Sequence, residues 1–148
     1  MGNRQACFFV GHRNTPESIR PDLLTLVDDC MAAGYKEFIV GHHGQFDTMA
    51  ASVVKELKPQ YPDVQLIMLL PYHPAKYPIK LPSGFDAGYY PSGMEAMPRS
   101  LSGLAASFEA TRLAILDVEC VIAYVCHPGR TRNFTQYAEW RGINVEYV

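Results

Sequence analysis

Charge of either sign is nowhere in excess: 13 lysines and arginines stand against 15 aspartates and glutamates, for a net charge of -2. That balance excludes a strong sequence-independent attraction to nucleic acid or to an anionic membrane, so any site for a polyanion must be local. Long apolar runs are missing as well, and no stretch approaches the ~18 residues that a membrane span needs. The four cysteines, Cys7, Cys30, Cys120 and Cys126, lack the spacing of a secreted disulfide framework. Three of them sit in or beside apolar runs, where a free thiol behaves as a small hydrophobe, and they are expected to be reduced core residues. The opening MGNRQACFFVGH has too short an apolar run for a signal peptide, and Ala6 stands where a myristoylation motif wants Ser or Thr. A cytoplasmic protein without membrane attachment is expected. Neither the dinucleotide fingerprint GxGxxG nor a Walker loop ending in GK[ST] occurs.

What is present is a rhythm. The chain has 148 residues, 48% of them hydrophobic, enough for one domain over 1–148 with a real core. ACFFV (Ala6 to Val10) reads as a strand buried on both faces, closed by Gly11. Leu23, Leu24, Leu26, Val27, Cys30 and Met31 then recur at helical spacing, with Pro21 in the first turn and Gly34 as terminator. Strand-like Glu37 to Val40, helix-like Gln45 to Leu57 and strand-like Val64 to Leu70 follow. A third helix capped by Ser100 or Ser102, a strand at Cys120 to Val125, a helix at Thr131 to Trp140 and a strand at Asn144 to Val148 complete the chain. Strands alternating with helices imply right-handed crossovers. The expected fold is α/β: a Rossmann-like, doubly wound, parallel five-stranded sheet in the order 3-2-1-4-5, with helices on both faces. A segment rich in proline and tyrosine, Pro71 to Pro98, interrupts it without a sustained period and is expected as an irregular lid, binding loop or partner surface.

In such sheets ligands bind beyond the carboxyl ends of the strands, where the strand order reverses. Every histidine (His12, His42, His43, His73 and His127) falls just past an expected strand, hence on that edge. Three uses compete for them: metal ligation, hydrogen bonds to a nucleotide, or satisfaction by nearby backbone. None is spaced as a ligand pair on a regular element, and no metal or other cofactor is expected. In GHHGQFD, Gly41 and Gly44 bracket a tight strand-to-helix turn whose amides can face an anion; Asp47 either caps the helix or holds a ribose hydroxyl. Gly11, His12 and Arg13 form a similar corner after the first strand, and Arg13 suits a phosphate or carboxylate. His127, Gly129, Arg130 and Thr131 form a third corner, with amides, a hydroxyl and cations at a helix start.

FFVGHR, FIVGHHGQFDTMAASVVKEL followed by PDVQLIMLLPY, and VIAYVCHPGRT together resemble the YpsA-like branch of the SLOG superfamily, relatives of the DprA and Lonely Guy proteins. The resemblance runs over nearly the whole chain. It implies a Rossmann-like fold, a homo-oligomer and binding of nucleotides or nucleotide-derived ligands, with cleavage of a base from its ribose phosphate in some branches. By position, Gly11, His12 and Arg13 match the first loop, Gly41, Gly44 and Asp47 the second, and Gly129 and Thr131 the phosphate-facing third. Glu95 and Arg112 lie in a stretch that is also similar. The Lonely Guy pattern PGGxGTxxE reads PGRTRNFTQ here, with Arg130 for the second glycine and Gln136 for the glutamate. An amide takes no proton as a carboxylate does, which argues against carrying that hydrolysis over.

Three functions are therefore in competition. The first is binding of a nucleotide-derived small molecule, as sensor or sequestering module, with Tyr72, Tyr89 or Tyr90 closing over the base. The second is an enzyme acting at an N-glycosidic bond, with Asp47 or Glu95 as the carboxylate. The third is a homo-oligomeric interaction protein with a vestigial crevice.

Overall fold

The computed structural model describes residues 4–41, 44–96 and 103–148. The strands are β1 (Arg4–Val10), β2 (Glu37–Val40), β3 (Gln65–Leu69), β4 (Ala87–Tyr89), β5 (Val118–Ala123) and β6 (Asn144–Tyr147). The helices are α1 (Arg20–Ala32), α2 (Gln45–Leu57), α3 (Gly103–Asp117) and α4 (Arg130–Trp140). All strand pairs are parallel, in the order β4-β3-β2-β1-β5-β6. This is an α/β architecture of the Rossmann-like class.

The count of five strands expected from the sequence is corrected to six. The five expected strands take the expected order, and β4 is added outside β3 by the segment that was expected to be irregular. The β4 edge is held by backbone: Leu70 N–H donates to Tyr89 O and Asp86 N–H to Leu66 O, both at 2.8 Å. The Asp86 carboxylate also accepts from Leu66 N–H at 2.8 Å and from the Lys58 ammonium. Burial alone would raise the Asp86 pKa, but these donors hold it below the usual carboxylate value. A second piece of order in that segment is the 3-10 turn at Met94–Ala96. Ser100 and Ser102, expected to cap α3, lie outside the described residues.

Alternation along the strands divides the core in two. Cys7 and Phe9 of β1, Phe38 and Val40 of β2, and Cys120 and Ile122 of β5 pack under α1 and α2. Ala6, Phe8 and Val10, with Ile39, Ile67, Val121 and Ala123, pack under α3 and α4. Successive strand side chains point to opposite faces, so a run with no polar gaps is what a sheet covered by helices on both sides requires. On α3 the buried face is Ala106, Ala110 and Ala114, four residues apart, which lets this helix lie close over the bulkier Phe8, Ile39 and Ile67. Burying each of those large side chains contributes roughly 1.5–3 kcal/mol. Helix ends follow the glycines: Gly34 (φ +107°) follows α1, with Tyr35 N–H donating to Cys30 O, and Gly142 (φ +80°) follows α4, with Ile143 N–H donating to Ala138 O.

Among the described residues no helix is long and apolar enough to cross a membrane. All four cysteines are free; Cys7, Cys30 and Cys120 are buried and Cys126 is exposed.

Candidate functional site

Strand order reverses between β1 and β5, and a cavity of about 270 Å³ lies at their carboxyl ends. Phe8, Phe9 and Val10 of β1 form its floor, and Leu104, Ser107, Phe108 and Thr111 of α3, with Phe134 of α4, its inner wall. Gly11, Arg13, Gly41, Asp47, Arg130 and Thr131 complete the lining. Six of the residues singled out from the sequence thus meet around one space. A polar hollow of about 550 Å³ shares Arg13 with it and adds Gly44, and another of about 410 Å³ shares Gly41 and Asp47.

The corners are tied to one another through backbone. Gln45 N–H donates to Arg13 O at 2.8 Å, crossing the first corner with the second. Thr15 N–H donates to the Gln45 side-chain oxygen at 2.8 Å, and the Thr15 hydroxyl to His12 O at 2.9 Å. The Thr131 hydroxyl donates to Gly11 O at 3.2 Å, joining the third corner to the first. Two glycines are dictated by crowding. A Cβ on Gly11 would stand 2.2 Å from Phe46 Cγ, and one on Gly44 2.5 Å from Arg13 Cα.

Electrostatically the third corner is unlike the second. Both α2 and α4 begin after a glycine with no side-chain cap, but α2 carries Asp47 in its first turn while α4 has no acid there. Arg130 and Arg132 occupy the α4 first turn instead, at the positive end of the helix dipole, where anions are favoured and cations are not. The Arg130 guanidinium is parked 3.5 Å from the centroid of the Phe108 ring.

The histidines take other roles. His12 is buried beside the cavity without lining it; its Nε2 accepts a hydrogen bond from Cys126 N–H at 2.9 Å. Its ring stacks on His127, with centroids 3.8 Å apart and planes 15° apart, and meets Tyr124 edge-on. Burial, His127 and Arg132 together lower the His12 pKa, keeping the ring a neutral acceptor. His12, Cys126 and His127 offer N, S and N atoms within 4.8 Å of one another. That trio suits a metal poorly, because near-parallel imidazoles aim their in-plane lone pairs past a common point and one of these nitrogens is already an acceptor. His127 is exposed, its Nδ1 2.8 Å from Pro128 O. Gly129 is exposed at the start of α4. His73 lies apart, against Tyr90. His42 and His43 lie outside the described residues.

The remaining candidates do not line the cavity. Glu95 is exposed in the 3-10 turn, and Arg112 pairs with Glu109 on its own helix at 2.9 Å. Tyr89 is buried in β4 with its hydroxyl 2.6 Å from Asp117, Tyr72 packs on Tyr77, and Tyr90 packs on His73. Phe108 and Phe134, 6.4 Å apart, join Phe8 and Phe9 as aromatic side chains lining the cavity. Phe108 lies one turn from Leu104 on α3, a helical spacing that places both on the cavity side.

No protein-family model matches the chain, and neither does any curated protein.

Proposed function

We propose that this chain binds a nucleotide or nucleotide-derived small molecule in the cavity at the β1/β5 switch point, as a sensor or sequestering module. The observation that carries the reading is the start of α4. Among the described residues no side chain caps this helix N-terminus, its first turn carries two arginines and no acid, and Arg130 and Thr131 line a cavity with aromatic walls. A phosphate at the α4 amides, Arg130 and Arg13 would balance that positive charge. Phe108 and Phe134 would then face the base, and Asp47 a ribose hydroxyl. About 270 Å³ is close to the lower end of small-molecule cavities, which matches a mononucleotide-sized guest. The similarity of the three corners to SLOG loops supports the same reading. So does the set of free thiols for a cytoplasmic location, and the exposed Trp140 and Tyr147 beside the outer β6 strand for a homo-oligomer.

The test is a thermal-shift screen of nucleoside mono- and diphosphates and ADP-ribose. A ligand bound only by the folded chain at 100 times its Kd adds about 2.7 kcal/mol and raises Tm. No shift at millimolar concentrations with the whole panel refutes the proposal. Because Asp47 lines the cavity, cleavage of an N-glycosidic bond is the second reading. It requires release of free base from a nucleoside monophosphate panel, abolished in Asp47→Asn, whereas simple binding leaves the nucleotide intact.

A further inference from the structure

We propose that Cys7, Cys30 and Cys120 form a binding site for a soft, thiophilic monovalent cation, copper(I) in chemical class, separate from the cavity at the strand ends. The three thiols come from β1, α1 and β5 and converge with their sulfurs all within 4.8 Å of one another. Cys7 and Cys120 face each other in register on adjacent strands, and Cys30 approaches from the helix above. An isolated buried cysteine is an ordinary small hydrophobe. Here three of the chain's four meet on each other.

The geometry is already near what an ion needs. Even a triangle with every side at the 4.8 Å limit has its centre about 2.8 Å from each sulfur, so a shift of about half an ångström per side chain reaches metal–thiolate bonding distance. The number of donors selects the ion. Zinc in a closed protein site takes four ligands in a tetrahedron, whereas soft thiolate sets with fewer donors suit copper(I). Cys7 is 0% and Cys120 1% exposed, so the three thiols are screened from solvent. A neighbouring polar side chain at Cys120 presents a donor: the Asn144 amide nitrogen lies 3.7 Å from its sulfur. That contact orients the thiol but cannot ligate. Of the three, Cys30 is the most exposed, at 8%. Binding replaces thiol protons, which leave to solvent, with metal–sulfur bonds; no electron is transferred.

The reduced full-length protein is titrated against copper(I) held by bathocuproine disulfonate, with loss of the probe's colour as readout. One equivalent withdrawn by the wild type and by Cys126→Ser is expected, with affinity at least about 100-fold weaker in Cys30→Ala. Undiminished uptake by a Cys30→Ala protein shown folded by circular dichroism overturns the proposal, as does failure of the wild type to compete with the probe. Loss of uptake in Cys126→Ser also overturns it, assigning the metal to His12, Cys126 and His127. Should Cys30→Ala not fold, copper K-edge absorption on the wild type decides: sulfur scattering alone supports the site, and imidazole scattering refutes it. Zinc(II) held as tightly as copper(I) overturns the monovalent assignment.

Discussion

Helices α2 and α4 both start on a glycine just past a sheet strand, yet the two corners are built for different ends. At α2 the glycines have no room for a side chain, although hollows remain open beside Gly44 and Asp47. Gly44 is pressed on the Arg13 backbone, Phe46 fills the space above Gly11, and Asp47 supplies the acid that the helix dipole favours. At α4 the glycine stands open. Among the described residues nothing stands within 4 Å of where a Gly129 Cβ would be, the backbone there is at φ +142° and ψ -159°, and the first turn carries arginines. One glycine exists because a neighbour is too close, the other because the chain must turn in a way that L side chains resist. A crowded glycine fixes where its neighbours sit, whereas the α4 start leaves its amides without a side-chain cap, next to Arg130 and Thr131 of the cavity lining.

The comparison breaks most visibly at the crowded corner. Alanine at Gly44 would drive a carbon into backbone that cannot step aside, and alanine at Gly11 into the root of the Phe46 side chain. Each is expected to cost about 3 kcal/mol, the upper range for overpacking, read from the urea midpoint at constant m-value. A loss under about 0.5 kcal/mol would mean the corner has slack, and the contrast with α4 would go. Gly129→Ala is expected to cost less, about 1–2 kcal/mol, purely from placing an L residue in a region of backbone space reserved for glycine. Its signature is a larger effect on ligand-induced Tm shift than on stability, since the α4 amides turn with that residue.

Arg130 isolates the charge from the backbone. It is exposed and rests on Phe108, so Arg130→Ala should change stability by no more than about 0.5 kcal/mol. For a phosphate-bearing ligand found by thermal shift, its loss should weaken binding about tenfold by calorimetry, the equivalent of one charge-assisted hydrogen bond. Equal affinity in the variant would leave the dipole of α4 without its supposed helpers.

How much of this was legible beforehand follows from where the information resides. Strands such as Ala6 to Val10 announce themselves because burial on both faces removes polar gaps, and the helices by period; the order of five strands then follows from crossover handedness. β4 does not announce itself. It has three residues, Gly88 among them, and owes its existence to bonds from Leu70 and Leu66, partners distant in sequence. The glycine corners were readable as corners, but not which glycine is crowded and which open, since that depends on Phe46 and Arg13 meeting them in space. The stacking tyrosines expected from the Pro/Tyr segment lie elsewhere because β4 draws Tyr89 into the interior. His12 could be placed on the right edge, but its use as an acceptor for Cys126 is a tertiary fact.

That bond gives the smallest predicted effect, and it links the two corners, since His12 follows β1 and Cys126 follows β5. With its pKa lowered in the folded chain, His12 binds fewer protons than its unfolded counterpart just below pH 6.5. The unfolded state therefore gains protons first, and stability must fall as pH drops through that window, by less than the ~1.4 kcal/mol per pH unit that one proton allows. Gln at position 12 keeps a neutral acceptor at the reach of Nε2 but cannot titrate. Urea midpoints measured at pH 7.5 and 5.5 should therefore drop further for the wild type than for His12→Gln. Parallel drops would show that the ring is free to take its proton in place, and that the His12–Cys126 contact does not hold the crowded corner to the open one.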